Sequence, residues 1–283
     1  MHEVKYDGFR LLCRVERGKA RLVTRNGTDW TSLLQPVAAA VAALGMREAW
    51  LDGELVYLDD DGIPDFEVLH RTLRKRHGAA RLHYQVFDLP YLHGADLTGR
   101  PLLERKLRLE EWVRDRCDAG RVRYCDYVDG DGASFFRAAH AAGVEGIVCK
   151  RARSLYHPGA RTGDWLKVKC FHRYRVRVLG FTPRVAELLV CFEGAGGEPV
   201  YAGRVSGWCR GPLRGELVEA VRALRTDACP WPGKQPPREA IQWVRPGLRV
   251  EVAALPWRAG RKLRHATLKG VTLAGAALCS AVR

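Results

Sequence analysis

Lys5-Tyr6-Asp7-Gly8-Phe9-Arg10 sets an amine, a sharp Asp-Gly turn and a guanidinium side by side. A neutral lysine can attack the α-phosphorus of a nucleotide and keep it as a covalent adduct, and the planar fork of Arg10 suits a phosphate or a ribose. Taken alone, the run also fits an ordinary turn with a solvated lysine, so its meaning depends on companions. Leu51-Asp52-Gly53-Glu54-Leu55 supplies two carboxylates that strand alternation puts on one face, able to hold a metal or a ribose hydroxyl. Val144-Glu145-Gly146-Ile147-Val148-Cys149-Lys150 adds a glutamate just before an apolar strand, with a glycine that admits close backbone approach. In Asp164-Trp165-Leu166-Lys167-Val168-Lys169, both lysines fall on one strand face and Leu166 with Val168 on the other. Magnesium takes one or two carboxylates together with substrate phosphates, a requirement that Glu54 and Glu145 meet. Two further ammonium groups beside Lys5 would favour its neutral form and offset charge developing on a triphosphate. Phe87 can stack on a purine or serve as core, and Arg25, in Thr24-Arg25-Asn26-Gly27, can clamp a phosphate or decorate a turn.

Hydrophobic periodicity gives the elements that must hold these groups. Phe9, Leu11, Cys13 and Val15 alternate with polar residues, Arg17-Gly18 punctuates, and Ala20, Leu22 and Thr24 resume the alternation, which predicts a β-hairpin. A helix is expected from Leu33 to Leu44, then a strand from Ala49 to Tyr57. The turn Asp59-Asp60-Asp61-Gly62 lacks the later ligand positions of a calcium loop. Asp65 can cap a helix running towards Lys75, with Phe66, Leu69 and Leu73 on one face, and a strand follows from Leu82 to Leu89. Pro101 to about Arg116 reads as an amphipathic helix with Leu102, Leu103, Leu107 and Trp112 as its apolar side and charges between. A strand from Arg121 to Tyr127, a helix from Ser134 to Ala142, and strands from Gly146 to Lys150 and Trp165 to Lys169 complete a mixed part with a largely antiparallel sheet. Beyond Lys169 to Tyr174 come short strands at 175–181, 188–192, 200–205, 248–254 and 263–268, with a helix from Leu213 to Leu224. Gly194-Ala195-Gly196-Gly197 and similar turns join them, which suggests a five-stranded barrel of the OB type, with Cys229 to Pro237 as a Pro-rich loop.

A chain of 283 residues favours two domains, placed at 1–171 and 172–283. Its net charge is +15, from ten lysines and 37 arginines against 32 acidic residues. That excess implies a polyanionic partner, with nucleic acid first. No stretch reaches the length of a membrane span and no secretory signal is evident, so the expected compartment is the cytoplasm, in association with the nucleoid. Nine cysteines without a C-x-x-C pair read as free thiols in a reducing cell rather than a zinc site.

The series K-Y-D-G-F-R, T-R-N-G, L-D-G-E-L, Y-Q-V-F-D, V-E-G-I-V-C-K and W-L-K-V-K resembles, in order, the nucleotidyltransferase motifs of ATP-dependent DNA ligases, and most of all the ligase module of bacterial ligase D proteins. The segments Ile241 to Pro246, Val250 to Val252 and Leu263 to Gly270 are similar to that family's OB-domain signatures, so the likeness spans essentially the whole chain. It implies an α+β fold: an ATP-grasp-like ligase (nucleotidyltransferase) domain with antiparallel sheets, followed by a small OB-fold barrel. It also implies that Lys5 is adenylylated by ATP with Mg2+ or Mn2+, that AMP passes to a 5′-phosphate at a nick, and that the 3′-hydroxyl displaces it. By the same resemblance Glu3 meets the adenine amine, Phe87 stacks on the base and Lys150 lines the nucleotide site. Arg10 and Arg25 hold ribose or nick phosphate, Glu54 the ribose or metal, and Glu145 the metal. Lys167 and Lys169 bind phosphate, while Arg261, Arg264 and Lys269 belong to a pyrophosphate-orienting motif.

The implied setting is bacterial DNA repair, recombination and non-homologous end joining, as a monomer on nicked duplex DNA, with a Ku-like end-binding protein and polymerase or nuclease modules as partners. Two departures set expectations: only four residues precede the nucleophile, where the family has a longer segment that helps build the adenine pocket, and Ala266-Thr267 stands where the family tends to have Pro and Phe, with an Arg missing near position 272, which points to weakened adenylylation. An RNA ligase or RNA-capping guanylyltransferase shares the superfamily and would differ in nucleotide choice. A non-catalytic nucleic-acid-binding module would bind without forming an adduct. The missing zinc-binding cysteine cluster argues against NAD-dependent ligation.

Overall fold

In this computed structural model, residues 1–75, 81–114, 120–206, 212–231, 241–273 and 276–280 are described. The chain divides into two compact units, Met1–Cys170 and Phe171–Arg283.

The first unit carries two sheets. One has the order β10-β9-β1-β8, built from β1 (His2–Val4), β8 (Tyr127–Val128), β9 (Gly146–Lys150) and β10 (Trp165–Lys169). The other has the order β3-β2-β4-β5-β6, from β2 (Phe9–Glu16), β3 (Lys19–Thr24), β4 (Glu48–Tyr57), β5 (Leu82–Leu92) and β6 (Ala95–Asp96), with β7 (Val122–Tyr124) parallel to β5. Alternation in β2 sends Leu11, Cys13 and Val15 into the core that Val37, Ala38 and Val41 of α1 (Gln35–Ala43) also enter. Helix α2 (Phe66–Lys75) adds Leu69 to the same core, and its start is capped by Asp65 Oδ1, which accepts from Val68 N at 2.9 Å. Helix α4 (Gly132–Ala141) is capped likewise by Asp131, which accepts from the amides of Ala133 and Ser134, and it packs on β9.

Helix α3 (Leu102–Val113) departs from its amphipathic reading. Its buried face is Leu102, Arg105, Lys106, Leu109 and Val113, while Leu103 and Leu107, expected inside, are exposed. The reason is electrostatic: a carboxylate waits for each buried cation. Arg105 makes a bidentate pair with Asp88 at 2.7 and 2.8 Å, both side chains 0% exposed, and its Nη1 donates to the carbonyls of Arg100 and Ser154. Lys106 Nζ lies 2.7 Å from Glu3 and donates to the Cys125 carbonyl at 2.8 Å. Two further differences are local. The segment expected as one strand from Arg121 to Tyr127 splits into β7 and β8, which join different sheets, and His2–Val4, unassigned from sequence, is the strand between β8 and β9.

The second unit has one eight-stranded antiparallel sheet and α5 (Pro212–Ala223). Its strands are β11 (His172–Phe181), β12 (Leu188–Glu193), β13 (Pro199–Val205), β14 (Arg225–Thr226), β15 (Gln242–Val244), β16 (Leu248–Ala254), β17 (Thr267–Leu273) and β18 (Ala276–Ser280). The ladder β13-β12-β11-β16-β17-β18 is an open path among the described residues, with β14 and β15 attached at β11, so a closed five-stranded barrel is not what the pairing defines. The strand expected at Leu263 to Leu268 begins instead at Thr267, because His265 takes a left-handed φ of 53° that interrupts extension. The Pro-rich stretch from Cys229 lies outside the described residues from 232 onward.

Removing one partner of the buried Arg105–Asp88 pair strands a charge in the core. Arg105→Met is therefore expected to cost about 3–5 kcal/mol in urea unfolding of the whole chain, with Arg105→Met/Asp88→Leu recovering most of the loss. An unchanged midpoint for the single variant would show that the pair does not bear on stability.

Candidate active site

Lys5 lies in the short link between β1 and β2, where the chain leaves one sheet for the other. Main chain fixes it on both flanks. Its amide donates to Gly146 O at 2.8 Å, and a Cβ on Gly146 would stand 2.1 Å from Val168 O. A Cβ on Gly8 would stand 2.0 Å from Leu55 O, so only glycine lets the link press onto β4.

The Lys5 ammonium donates to Glu145 Oε2, and Lys169 Nζ sits 3.9 Å from the other Glu145 oxygen. Lys169 and Gly146 are register partners on β10 and β9, which is why Lys169 reaches the residue just before that strand. Glu54 enters from β4. Its pKa is raised to about 7, chiefly by burial with a smaller push from Asp52, against the pull of Lys5, Lys167 and Arg10. The Lys167 ammonium is pulled below the usual lysine range, first by desolvation and then by Lys5 and Arg10, with Glu54 and Glu145 opposing. Lys5, Glu54, Glu145, Lys167 and Lys169, drawn from both sheets, thus form one electrostatic group.

Arg10, opposite Glu54 in the β2–β4 register, turns to Asp52 instead. Its Nε and Nη2 both donate to the Asp52 carboxylate, which also accepts the Tyr156 hydroxyl at 2.9 Å. Asp52 is therefore committed to a clamp and is not a free ligand beside Glu54. The Arg10 guanidinium stands 5.6 Å from the Phe87 ring centre and 6.0 Å from that of Trp165. Phe87 is half-buried at a bulge: Gly53 pairs with Val86 and Asp52 with Asp88, leaving Phe87 unmatched on β4. Its ring meets Trp165 edge-on, and Lys150 Nζ lies 4.4 Å from one ring centre and 4.0 Å from the other.

Beneath these aromatics Glu3 is buried between two ammonium groups, Lys106 at 2.7 Å and Lys150 at 2.5 Å. These are charge contacts rather than aligned hydrogen bonds, because Glu3 Oε1 and Lys150 Nζ have no hydrogen-bond partner in directional geometry. Burial works to raise the Glu3 pKa, and the two lysines together overcome it and hold the carboxyl below its ordinary value. Lys106 was not legible as part of this pocket, since a lysine in a charged helix reads as solvated; only its spacing from Leu102 and Leu109 hinted at an inward face.

Other expected residues stand apart. Arg25 is exposed in the turn that follows β3, at the open end of the β2–β3 hairpin, one step beyond the Leu11–Thr24 pair and thus level with Arg10. Arg261, Arg264 and Lys269 belong to the second unit, Lys269 within β17.

No group of three or more His, Cys, Asp or Glu side chains able to hold a metal occurs among the described residues. A magnesium ion fits the donor set all the same, since it needs only one or two carboxylates when phosphates fill its shell. Glu54 in particular carries more burial than its cationic neighbours offset, the condition that a divalent cation would relieve.

Residues 1–169 match the ATP dependent DNA ligase domain and residues 182–272 the ATP dependent DNA ligase C terminal region. The chain belongs to the ATP-dependent DNA ligases, a family of enzymes that form phosphodiester bonds. Within it, the chain is similar to the multifunctional non-homologous end joining protein LigD of Pseudomonas aeruginosa, at 36% identity over 281 residues, covering 95% of this chain and 33% of that protein. It is similar as well to the corresponding DNA repair protein LigD of Mycobacterium tuberculosis, at 32% identity over 278 residues, with 95% and 35% covered. The chain thus spans about a third of the length of these curated relatives. A solved mycobacterial DNA ligase D complexed with ATP and MES superposes with a TM-score of 0.56 at 31% identity, covering 98% of this chain and 91% of that one.

The raised Glu54 pKa carries a stability signature. Below its ordinary value of 4.5 the carboxyl is protonated whether the chain is folded or not; between there and about 7 only the folded chain keeps the proton. Stability is therefore full at low pH and falls as pH rises through that window, by at most about 3 kcal/mol. Glu54→Gln removes this slope. In urea unfolding with EDTA present, the variant should gain on the parent between about pH 5 and pH 8, and parallel curves would refute the assignment.

Proposed function

We propose that this chain is the ligase module of a DNA end-joining protein, sealing nicks in duplex DNA at the expense of ATP. The observation that carries the reading is the convergence of Lys5, Glu54, Glu145, Lys167 and Lys169 on one pocket, with the Phe87 and Trp165 rings beside it.

In the first step Lys5 Nζ attacks the α-phosphorus of ATP, the bond to the β-phosphate oxygen breaks, and pyrophosphate departs. Lys167 and Lys169 neutralise charge on the triphosphate as it builds. Glu3 accepts from the adenine amine, Phe87 stacks on the base, and Lys150 borders both. A magnesium or manganese ion held by Glu54 and Glu145 would supply Lewis-acid charge neutralisation at the phosphates. Next a 5′-phosphate oxygen at the nick attacks the Lys5-bound AMP and frees the lysine. The 3′-hydroxyl then attacks that 5′-phosphorus, closing the phosphodiester and releasing AMP. Arg10 and Arg25, level with one another on the hairpin, hold ribose or nick phosphate.

The domains proposed are a nucleotidyltransferase domain at 1–171 and an OB-type domain at 172–283, whose Arg264 and Lys269 orient pyrophosphate. The antiparallel sheet of the second unit and its match to the ligase C-terminal region support that reading. The relatives' role in non-homologous end joining supports partnership with a Ku-like end-binding protein and with polymerase or nuclease modules, in the bacterial cytoplasm. No helix among the described residues is long and apolar enough to cross a membrane.

Incubation with α-labelled ATP and magnesium should leave label on the protein and none on Lys5→Ala; label retained by that variant would sink the mechanism. Nick binding should also weaken steeply with salt, on the order of a hundredfold or more between 50 and 200 mM, because a surface of this charge releases counterions from the phosphates. Anisotropy with a nicked duplex reads this, and a flat response would remove the basic surface from the account.

A further inference from the structure

The Asp52 carboxylate is buried and accepts three hydrogen bonds, two from Arg10 and one from the Tyr156 hydroxyl. Tyr156 comes from the segment between β9 and β10, so it ties one sheet's connection to the other sheet's carboxylate. The segment has little freedom there. Ser154 O is held by Arg105 Nη1 at 3.1 Å and Leu102 N at 2.9 Å, Tyr156 N donates to Thr98 O at 3.0 Å, and the Arg105 guanidinium stacks 5.7 Å from the Tyr156 ring. Burial first, then Asp52, pushes the phenol above its usual range, which keeps it a donor.

With Nε and Nη2 taken by Asp52, Arg10 Nη1 makes no hydrogen bond to any described residue, and the side chain is 48% exposed. Arg10 stands opposite Glu54 in the β2–β4 register, and its charge acts on both Glu54 and Lys167, so the side chain borders the Lys5 pocket. A bidentate clamp on one side of a guanidinium leaves the opposite N–H groups pointing in a fixed direction.

We propose that Tyr156 is a positioning residue that, through Asp52, aims the free edge of Arg10 at a phosphate oxyanion of the nucleotide or of the nick. The inference rests on the ligase reading above for its ligands and on the Arg10–Asp52–Tyr156 geometry for its cause. Removing the hydroxyl deprives Asp52 Oδ2 of one donor and lets the carboxylate, and Arg10 with it, turn.

The test is a double-variant cycle in a common Lys5→Ala background, which cannot form the adduct: the background chain, Tyr156→Phe, Arg10→Gln, and both together. ATP binding is read by calorimetry, and binding to nicked duplexes bearing a 5′-phosphate or a 5′-hydroxyl by anisotropy. Tyr156→Phe is expected to weaken binding about three- to tenfold in whichever arm Arg10→Gln weakens it, and to add nothing once Arg10 is gone. Loss in the ATP arm assigns the oxyanion to the nucleotide; loss confined to the 5′-phosphate duplex assigns it to the nick. A Tyr156→Phe loss that persists in the double variant, or none in any arm, overturns the proposal. Nuclear magnetic resonance of the Arg10 Nε–H supplies a readout independent of ligand. Its slow solvent exchange is expected to be lost in Tyr156→Phe, and an unchanged signal overturns the positioning role even if no chain binds ATP or DNA, an outcome that would instead fell the ligase reading.

Discussion

Adjacent residues of α3, Arg105 and Lys106, fasten the two sheets of the first unit through charges held away from water. Arg105 takes Asp88 on β5, in one sheet, together with the Ser154 carbonyl beyond β9, in the other; Lys106 takes Glu3 on β1. Burying such pairs costs several kcal/mol per ion in desolvation, offset here by bidentate geometry at Arg105 and by carbonyl acceptors at both cations. Well-packed apolar residues could hold two sheets together at least as firmly. What the Arg105–Asp88 pair adds is direction, because a bidentate fork meets its carboxylate in one orientation. The pocket's floor, Glu3 with Lys150, and its rim, Tyr156 with Asp52 and Arg10, both hang from this pair of neighbours.

Charge inside the pocket is arranged for a visitor with more negative charge than the pocket can supply. Lys5, Lys150, Lys167, Lys169 and Arg10 face Glu3, Glu54, Glu145 and Asp52, and the partition is uneven: Asp52 is fully used by Arg10 and Tyr156, whereas Glu54 is under-compensated. Glu145 serves Lys5 and Lys169 with different oxygens. A polyphosphate entering among the lysines, with a divalent cation at Glu54, would complete this pattern of charges.

Much of this could be read from residue order, for a physical reason. Strand β2 alternates cleanly, β4, β9 and β10 show as short β-rich runs, and the motifs around Lys5, Glu54, Glu145, Lys167 and Lys169 lie in or next to these strands, so their places along the chain follow from local sequence. What stayed hidden depends on partners far along the chain. Arg105 and Lys106 look solvated until Asp88 and Glu3 are placed beneath them. Phe87 falls at a bulge that strict alternation does not foresee, and Tyr156 lies in a stretch that reads as plain loop. Near the end, a left-handed His265 moved the last expected strand, since backbone conformation at a non-glycine residue leaves no compositional trace. Short strands fared worst: His2–Val4 is too brief to show a period, yet its central residue is the buried Glu3.

The glycines on either side of Lys5 bear on how this pocket ages. Gly8 and Gly146 bring main chain against the carbonyls of Leu55 and Val168 more closely than any side chain would allow. The nucleophile's place is thus referenced to backbone atoms, which every sequence shares. Cores above and below can exchange leucine for isoleucine over evolutionary time and shift by fractions of an ångström, while the datum from which the pocket is measured stays put. At these two residues themselves there is no such latitude, because any side chain would collide with main chain.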